Sequence, residues 1–172
     1  MESEITIRPC AEGDAAAFRE LRLEGLRLHP LAFGADYAHD EQKPLSDWAQ
    51  RLSQNIANPD QIIHFAEVGG QLIGVTGIYR IGSTKMRHGA TIWGVYVREG
   101  WRGRGVIDRL LAATLDWARD QGVRVAKLAV TTTNVAAQRA YLRNGFAVYG
   151  VEPEVIAWDG AYHDELLMAR RV

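Results

Sequence analysis

Several things are scarce in this chain. Cysteine occurs once, at Cys10. A single thiol closes no internal disulfide, so the fold must stand on its own core, and this usage fits a reducing compartment. No apolar stretch nears the ~18 residues that cross a bilayer. The start, Met1-Glu2-Ser3-Glu4, is acidic with no apolar run behind it, unlike a secretory leader. The expectation is a soluble, cytoplasmic protein that no membrane holds. Neither sign of charge prevails: 20 Lys and Arg stand against 21 Asp and Glu, a net charge of -1. That balance excludes an acidic disordered tail and argues against a nucleic-acid partner. Repeats, low-complexity tracts and linkers are missing too. With 172 residues, 47% of them hydrophobic, the chain reads as a single domain over residues 1–172.

Glycine is in excess. There are 17 in 172 residues, and ten of them fall between positions 69 and 105; an average chain carries roughly 7%. Something in that stretch needs bare backbone. The surrounding pattern supplies the context. Ile5 to Arg8 alternates as a short strand. Phe18, Leu21, Gly25 and Leu28 repeat at helical spacing after Asp14, and Pro30 ends that helix. Residues 30–43 read as loop, and Pro44 with Ser46 opens a second helix through Trp48, Leu52 and Ile56. From position 61 the period becomes β-like, with Gly69-Gly70 as a hairpin turn and a further strand over Thr91–Val97. Val106 to about Gln121 is an amphipathic helix, Lys127–Val130 a strand, and Val135–Asn144 a helix that Gly145 ends. Phe146–Val151 and Glu165–Ala169 are the last strands. The order predicts an α/β (α+β) fold: a mixed, mainly antiparallel sheet of about seven strands flanked by four helices.

The segment Val95-Tyr96-Val97-Arg98-Glu99-Gly100-Trp101-Arg102-Gly103-Arg104-Gly105-Val106 carries the most chemistry. A strand ends, a tight Gly/Arg turn follows, and a helix begins. The first N–H groups of a helix lack internal partners and carry the positive end of its dipole. Glycines admit an anion to that backbone, and arginines add charge-assisted bonds. The physical reading is a phosphate cradle; the plain alternative is a glycine-rich turn with solvated arginines. A P-loop is excluded because no Gly-Lys-Ser/Thr follows. A dinucleotide fold is disfavoured because Gly103-Arg104-Gly105-Val106-Ile107-Asp108 lacks the third glycine and follows hairpin strands.

Arg102-Gly103-Arg104-Gly105-Val106, leading into Leu110-Leu111, resembles the acyl-CoA pyrophosphate loop of the GNAT superfamily of N-acetyltransferases. Arg102 and Gly105 match that family's pattern, while Ile107 stands where Gly or Ala is usual. A second segment strengthens the resemblance. Asn134-Val135-Ala136-Ala137 through Ala140-Tyr141, Gly145 and Phe146 is similar to the family's Asn-x-x-Ala-x-x-x-Tyr-x-x-x-Gly-Phe signature, on the expected strand–helix–strand. The two motifs and the element order together cover essentially the whole chain.

The resemblance implies acetyl-CoA as co-substrate and no metal. It places Arg102, Gly103, Arg104, Gly105, Val106 and Ile107 against the pyrophosphate. Backbone groups of Val95, Tyr96 and Val97, on a strand splayed from its neighbour, would meet pantetheine and the acyl oxygen, with Asn134 and Ala137 beside that arm. Asn134 also suits a plain helix cap. In this chemistry an amine attacks the thioester carbonyl and a thiolate leaves. Tyr141 is the residue the pattern marks as general acid; by itself it would read as core. No nucleophile is required, and Cys10 is a poor candidate for one.

A general base is not evident: the strand Ala90–Val97 has no acid, and Glu67 and His88 are the nearest candidates. The segment His29 to Glu41 would border the acceptor pocket in this family; its Asp36, Asp40 and Glu41 would suit a cationic amine. Glu152-Pro153-Glu154 and Asp164–Met168 look like an extended final hairpin of the kind that pairs across a homodimer. The function implied is N-acetyl transfer to a primary amine of a small molecule by direct attack in a ternary complex. A protein or peptide amine is the first alternative, and a non-catalytic CoA-binding regulatory module the second.

Overall fold

A computed structural model describes residues 4–172, so the acidic start Met1-Glu2-Ser3 lies outside it. Seven strands form one sheet: β1 (Thr6–Pro9), β2 (Gln61–Val68), β3 (Gln71–Arg80), β4 (Gly89–Val97), β5 (Val125–Thr131), β6 (Ala147–Trp158) and β7 (Ala161–Arg171). Their order is β1-β2-β3-β4-β5-β7-β6, and every pairing is antiparallel except β4 with β5. The mixed, mainly antiparallel sheet is as the sequence predicts.

The helices number five among the described residues rather than four: α1 (Ala15–Leu28), α2 (Tyr37–Glu41), α3 (Leu45–Ala57), α4 (Val106–Asp120) and α5 (Val135–Arg143). The extra one, α2, falls in the stretch that reads as loop. It is too short for a periodic signal, and its start is set by Asp36, whose carboxylate accepts from the His39 N–H at 3.0 Å. The final hairpin is also longer than predicted. Asp159-Gly160, a strong two-residue turn signal, joins its strands. Pro153 interrupts the alternation of β6, but the strand runs on through a register shift between Glu152 and Ile156.

α1 and α3 cover one side of the sheet, where Phe18, Leu21, Trp48, Leu52, Phe65 and Tyr96 form a core. α4 and α5 belong to other clusters, holding Ile78, Leu111, Leu115, Leu128, Tyr141 and Met168, with Leu110 beside Val97. α4 is a helix because Val106, Leu110, Leu111, Thr114, Leu115 and Ala118 recur on one buried stripe. Leu110 and Leu111 are fully enclosed, each worth about 1.5–3 kcal/mol in burial.

Two strand glycines answer to close neighbours. A Cβ on Gly74 would lie 3.0 Å from Leu110 Cδ1, and one on Gly77 would collide with the Trp93 indole. Opposite them β4 bulges. Tyr96 faces Val75 and Trp93 faces Gly77, so Gly94 and Val95 together stand against Thr76. Gly94 takes φ +67°, a value that L side chains rarely adopt.

Candidate active site

β4 and β5 pair only at Gly89–Val125, Ala90–Ala126 and Thr91–Lys127. Beyond Thr91 they part, leaving the far half of β4 with no strand on that edge. A cavity of about 600 Å³ opens there. The splay that the resemblance implied is therefore present. Among the residues singled out in the sequence, Val95, Tyr96, Val97, Arg102, Gly103, Gly105, Val106, Ile107, Asn134, Ala137 and Tyr141 all line the cavity. Arg104 does not; its guanidinium lies over the Trp101 ring at 5.0 Å.

The α4 wall is mainly backbone. Gly105 is the N-cap of α4 at φ +72° and supplies no side-chain cap, so the first N–H groups of the helix keep their hydrogen-bonding capacity. Nothing lies within 4 Å of where a Cβ on Gly103 or Gly105 would be. Ile107 turns its side chain against two core clusters while bordering the cavity. The one acid in that first turn, Asp108, is bound by Arg143 at 2.9 Å and by the Asn144 amide at 2.6 Å. An uncapped, glycine-lined helix start with its acid neutralised fits a phosphate group.

Arg102 points elsewhere than a bare cradle suggests. Its Nε donates to the Val97 carbonyl at 3.0 Å, and its Nη2 lies 2.8 Å from His29 Nε2. One of the Val97 main-chain groups is thereby engaged from within the protein. Tyr96 is buried, and its hydroxyl donates to Glu24 Oε1 at 2.8 Å. Glu24 in turn accepts from Arg98 at 2.7 Å.

The α5 wall holds Asn134 and Tyr141. Asn134 is the N-cap, its side chain accepting from the Ala137 N–H at 3.2 Å. Tyr141 is 6% exposed and meets Phe146 edge-on at 6.1 Å. Burial pushes its phenol well above the usual tyrosine range, so the hydroxyl stays protonated at neutral pH.

The third wall comes from the chain between α1 and α2, through His29, Ala32 and Phe33. The acids expected to face the acceptor from this stretch do not line the cavity. Asp36 caps α2, Asp40 is buried and bonded to Lys43 at 2.6 Å, and Glu41 accepts from Tyr37 at 2.7 Å. His29 heads the segment expected to border the acceptor pocket, and it lines the cavity. Burial, then the neighbouring Arg102, lower its pKa below the usual histidine value, which favours the neutral imidazole. No local pattern marks it, because its partner stands 73 residues away.

The two base candidates are elsewhere. Glu67 on β2 is bonded to Arg8 at 2.6 Å, and His88 precedes the end of β4 that is paired to β5. Cys10 is buried with its Sγ 3.4 Å from Asn55 Oδ1, and burial raises its thiol pKa. Among the described residues no cluster of three or more His, Cys, Asp or Glu could hold a metal ion, and no helix is long and apolar enough to cross a membrane.

Comparison with known proteins follows the same line. Residues 23–146 match the model of the acetyltransferase (GNAT) family. The aminoglycoside N(6')-acetyltransferase type 1 of Stenotrophomonas maltophilia is 30% identical over 146 residues, 82% of this chain and 85% of that one. The N-alpha-acetyltransferase RimI of Mycobacterium tuberculosis is 33% identical over 110 residues, 64% of this chain and 67% of its own. The yncA structure from Salmonella typhimurium, solved with its cofactor acetyl-CoA, superposes with a TM-score of 0.85 at 23% identity, covering 98% of this chain and 94% of that one.

Proposed function

The chain belongs to the GNAT acetyltransferase family, and from that premise we propose that it transfers the acetyl group of acetyl-CoA to the primary amine of a small molecule, with both substrates bound together and the amine attacking directly. The observation that carries this reading is the cavity at the β4–β5 splay, which has an uncapped helix start on one wall and Tyr141 on another. Acetyl-CoA, when bound, supplies an acyl group activated as a thioester. The chain's own residues do the rest.

The first N–H groups of α4, from Val106 and Ile107, with the open turn at Gly103 and Gly105, would hold the phosphates. Arg102 and Arg104 add positive charge at the rim. The unpaired edge of β4 through Val95 offers backbone N–H groups to the acyl oxygen as charge develops there. Asn134 and Ala137 flank the arm. Tyr141 keeps a proton at its hydroxyl through the neutral range and donates it toward the sulfur as negative charge builds. Its raised pKa makes it a hydrogen-bond donor to the departing thiolate, and the proton that the amine sheds on becoming an amide is the one that passes to the thiolate or to solvent. Residues 1–172 act in this reading as one domain.

A protein or peptide amine is the second reading, favoured by the likeness to RimI. The wall made by His29 and by Phe33, which is 9% exposed, supports a small acceptor instead. Pairing of two copies through the long β6–β7 hairpin is proposed on its exposed Val148, Val151, Trp158 and Tyr162. The experiment is CoA release from acetyl-CoA with a panel of small primary amines set against peptides bearing free N-termini. Turnover confined to small amines is expected; faster turnover of the peptides would reverse the two readings.

A further inference from the structure

Arg22 sits on the buried stripe of α1, one turn after Phe18 and one before Leu26, and is 7% exposed. Its Nε and Nη1 are sealed from solvent with no hydrogen-bond partner among the described residues. An orphaned buried guanidinium is costly, and most buried polar groups find partners. Its Cζ stacks 4.6 Å from the Phe33 ring centroid. At the β4 bulge, a Cβ on Gly94 would lie 3.4 Å from Arg22 Nη1. Gly94 and Phe33 both line the cavity, so the guanidinium stands immediately behind the cavity wall where the strand bulges.

The charges nearby do not balance it. Arg51 of α3 lies over the Trp93 ring at 4.7 Å. Asp40 is the counter-charge, but Lys43 already holds its carboxylate at 2.6 Å. Three cations (Arg22, Arg51, Lys43) face one carboxylate, leaving two positive charges over. Burial, then repulsion from Arg51, push the Arg22 pKa down to about 10, as an uncompensated cation requires. This is the opposite of a pocket for a polycationic amine.

We propose that Arg22 is the anchor for a carboxylate on the acceptor, so that the amine taken by this site is of the amino-acid type. The inference rests on the reading of the cavity as a small-amine acetyltransferase site. A carboxylate that displaced the Phe33 ring from over the guanidinium, on the cavity side beside Gly94, would satisfy the orphaned N–H groups in the paired, charge-assisted way that a guanidinium favours. It would also cancel charge that nothing in the fold cancels, with Arg51 reinforcing the attraction.

The test uses matched L-amino acids and their carboxamides with acetyl-CoA, in wild type, Arg22→Met and Arg22→Lys. Wild type should favour the carboxylate member by about tenfold or more in kcat/KM, the strength of a charged hydrogen bond, and Arg22→Met should bring that ratio within about threefold of one. The melting temperature of Arg22→Met should hold or rise, because an unpaired buried charge is gone. Arg22→Lys keeps the charge without the fork and should give an intermediate ratio. A wild type that consumes carboxamides as well as acids overturns the anchor and leaves the small-amine reading standing. A lowered melting temperature in Arg22→Met with an unaltered ratio in Arg22→Lys assigns Arg22 to the fold and also overturns it. Absence of turnover with every pair would sink the small-amine reading by itself. The anchor is then decided by N-acetylglycine binding followed through tryptophan fluorescence: binding lost in Arg22→Met keeps it, and equal binding in both proteins overturns it.

Discussion

The α4 wall of the cavity offers backbone, whereas the α1 wall offers side chains. On the α4 side, Gly103, Gly105 and the uncapped first turn of the helix form an open surface whose chemistry is peptide N–H. On the α1 side, His29 and Phe33 line the cavity, and Arg22 and Arg51 stand behind that lining with charges the fold does not balance. A backbone site suits a ligand part that never varies, such as a phosphate. A side-chain site can be rebuilt residue by residue, and the proposed function puts acceptor choice there.

The sharpest way to break the division is at Tyr141, which lies on neither wall. Tyr141→Phe should lower kcat about a hundredfold or more while leaving the acetyl-CoA KM in place; steady-state kinetics with both substrates varied decides it, and an undiminished kcat would remove the hydroxyl from the chemistry. The support beneath α4 comes next. His64 is 6% exposed with its Nδ1 3.3 Å from Thr114 Oγ1, and burial lowers its pKa from 6.5 to about 4. The unfolded chain therefore binds a proton that the folded chain refuses. Stability is full above pH 6.5 and falls by about 3 kcal/mol as pH drops toward 4. Urea unfolding at stepped pH should show that slope in wild type and lose it in His64→Gln.

Smaller effects separate the walls directly. Gly77→Ala forces the Trp93 indole out of place and should cost about 1–3 kcal/mol; the acceptor KM should rise while acetyl-CoA affinity holds. Gly105→Ala must adopt φ near +72° at about 1–2 kcal/mol of strain. Titration calorimetry should find acetyl-CoA binding weakened about tenfold at most, with the acceptor KM at saturating acetyl-CoA unmoved. If each substitution shifted both substrates alike, the walls would be one unit.

The same contrast explains what could be read from the residues alone. The α4 wall was legible because backbone geometry dictates residue type: glycine where φ is positive, Asn134 where a helix needs a cap. The sheet was legible from its alternation and its Gly69-Gly70 turn. The α1 wall was not, since a wall of side chains carries no obligatory residue. Arg22 did leave a mark. It falls four residues from Phe18 and four from Leu26 on an otherwise apolar stripe, and a charge in that position asks for an explanation. His29 left none until the chain brought Arg102 to it. The short α2 lacked the length for a period, and the acids around it looked like a cationic-amine pocket because their internal partners could not be foreseen. No general base came from the residues, and the fold adds only His29 as a cavity-lining imidazole.

The bulge at Gly94 has one more consequence. In an unbroken strand, residues three apart point to opposite faces. Here Trp93 and Tyr96 both join the core of α1 and α3, and Ile92 and Val95 both join the core on the other side. The extra residue acts like a frameshift in the strand's two-step rhythm. Deleting Gly94 would restore the beat and swap faces for everything after it. Tyr96 would lose Glu24, Val95 would leave the α5 core, and each would intrude on the opposite core. One inserted residue lets a single strand serve two cores at once, Tyr96 in one and Val95 in the other.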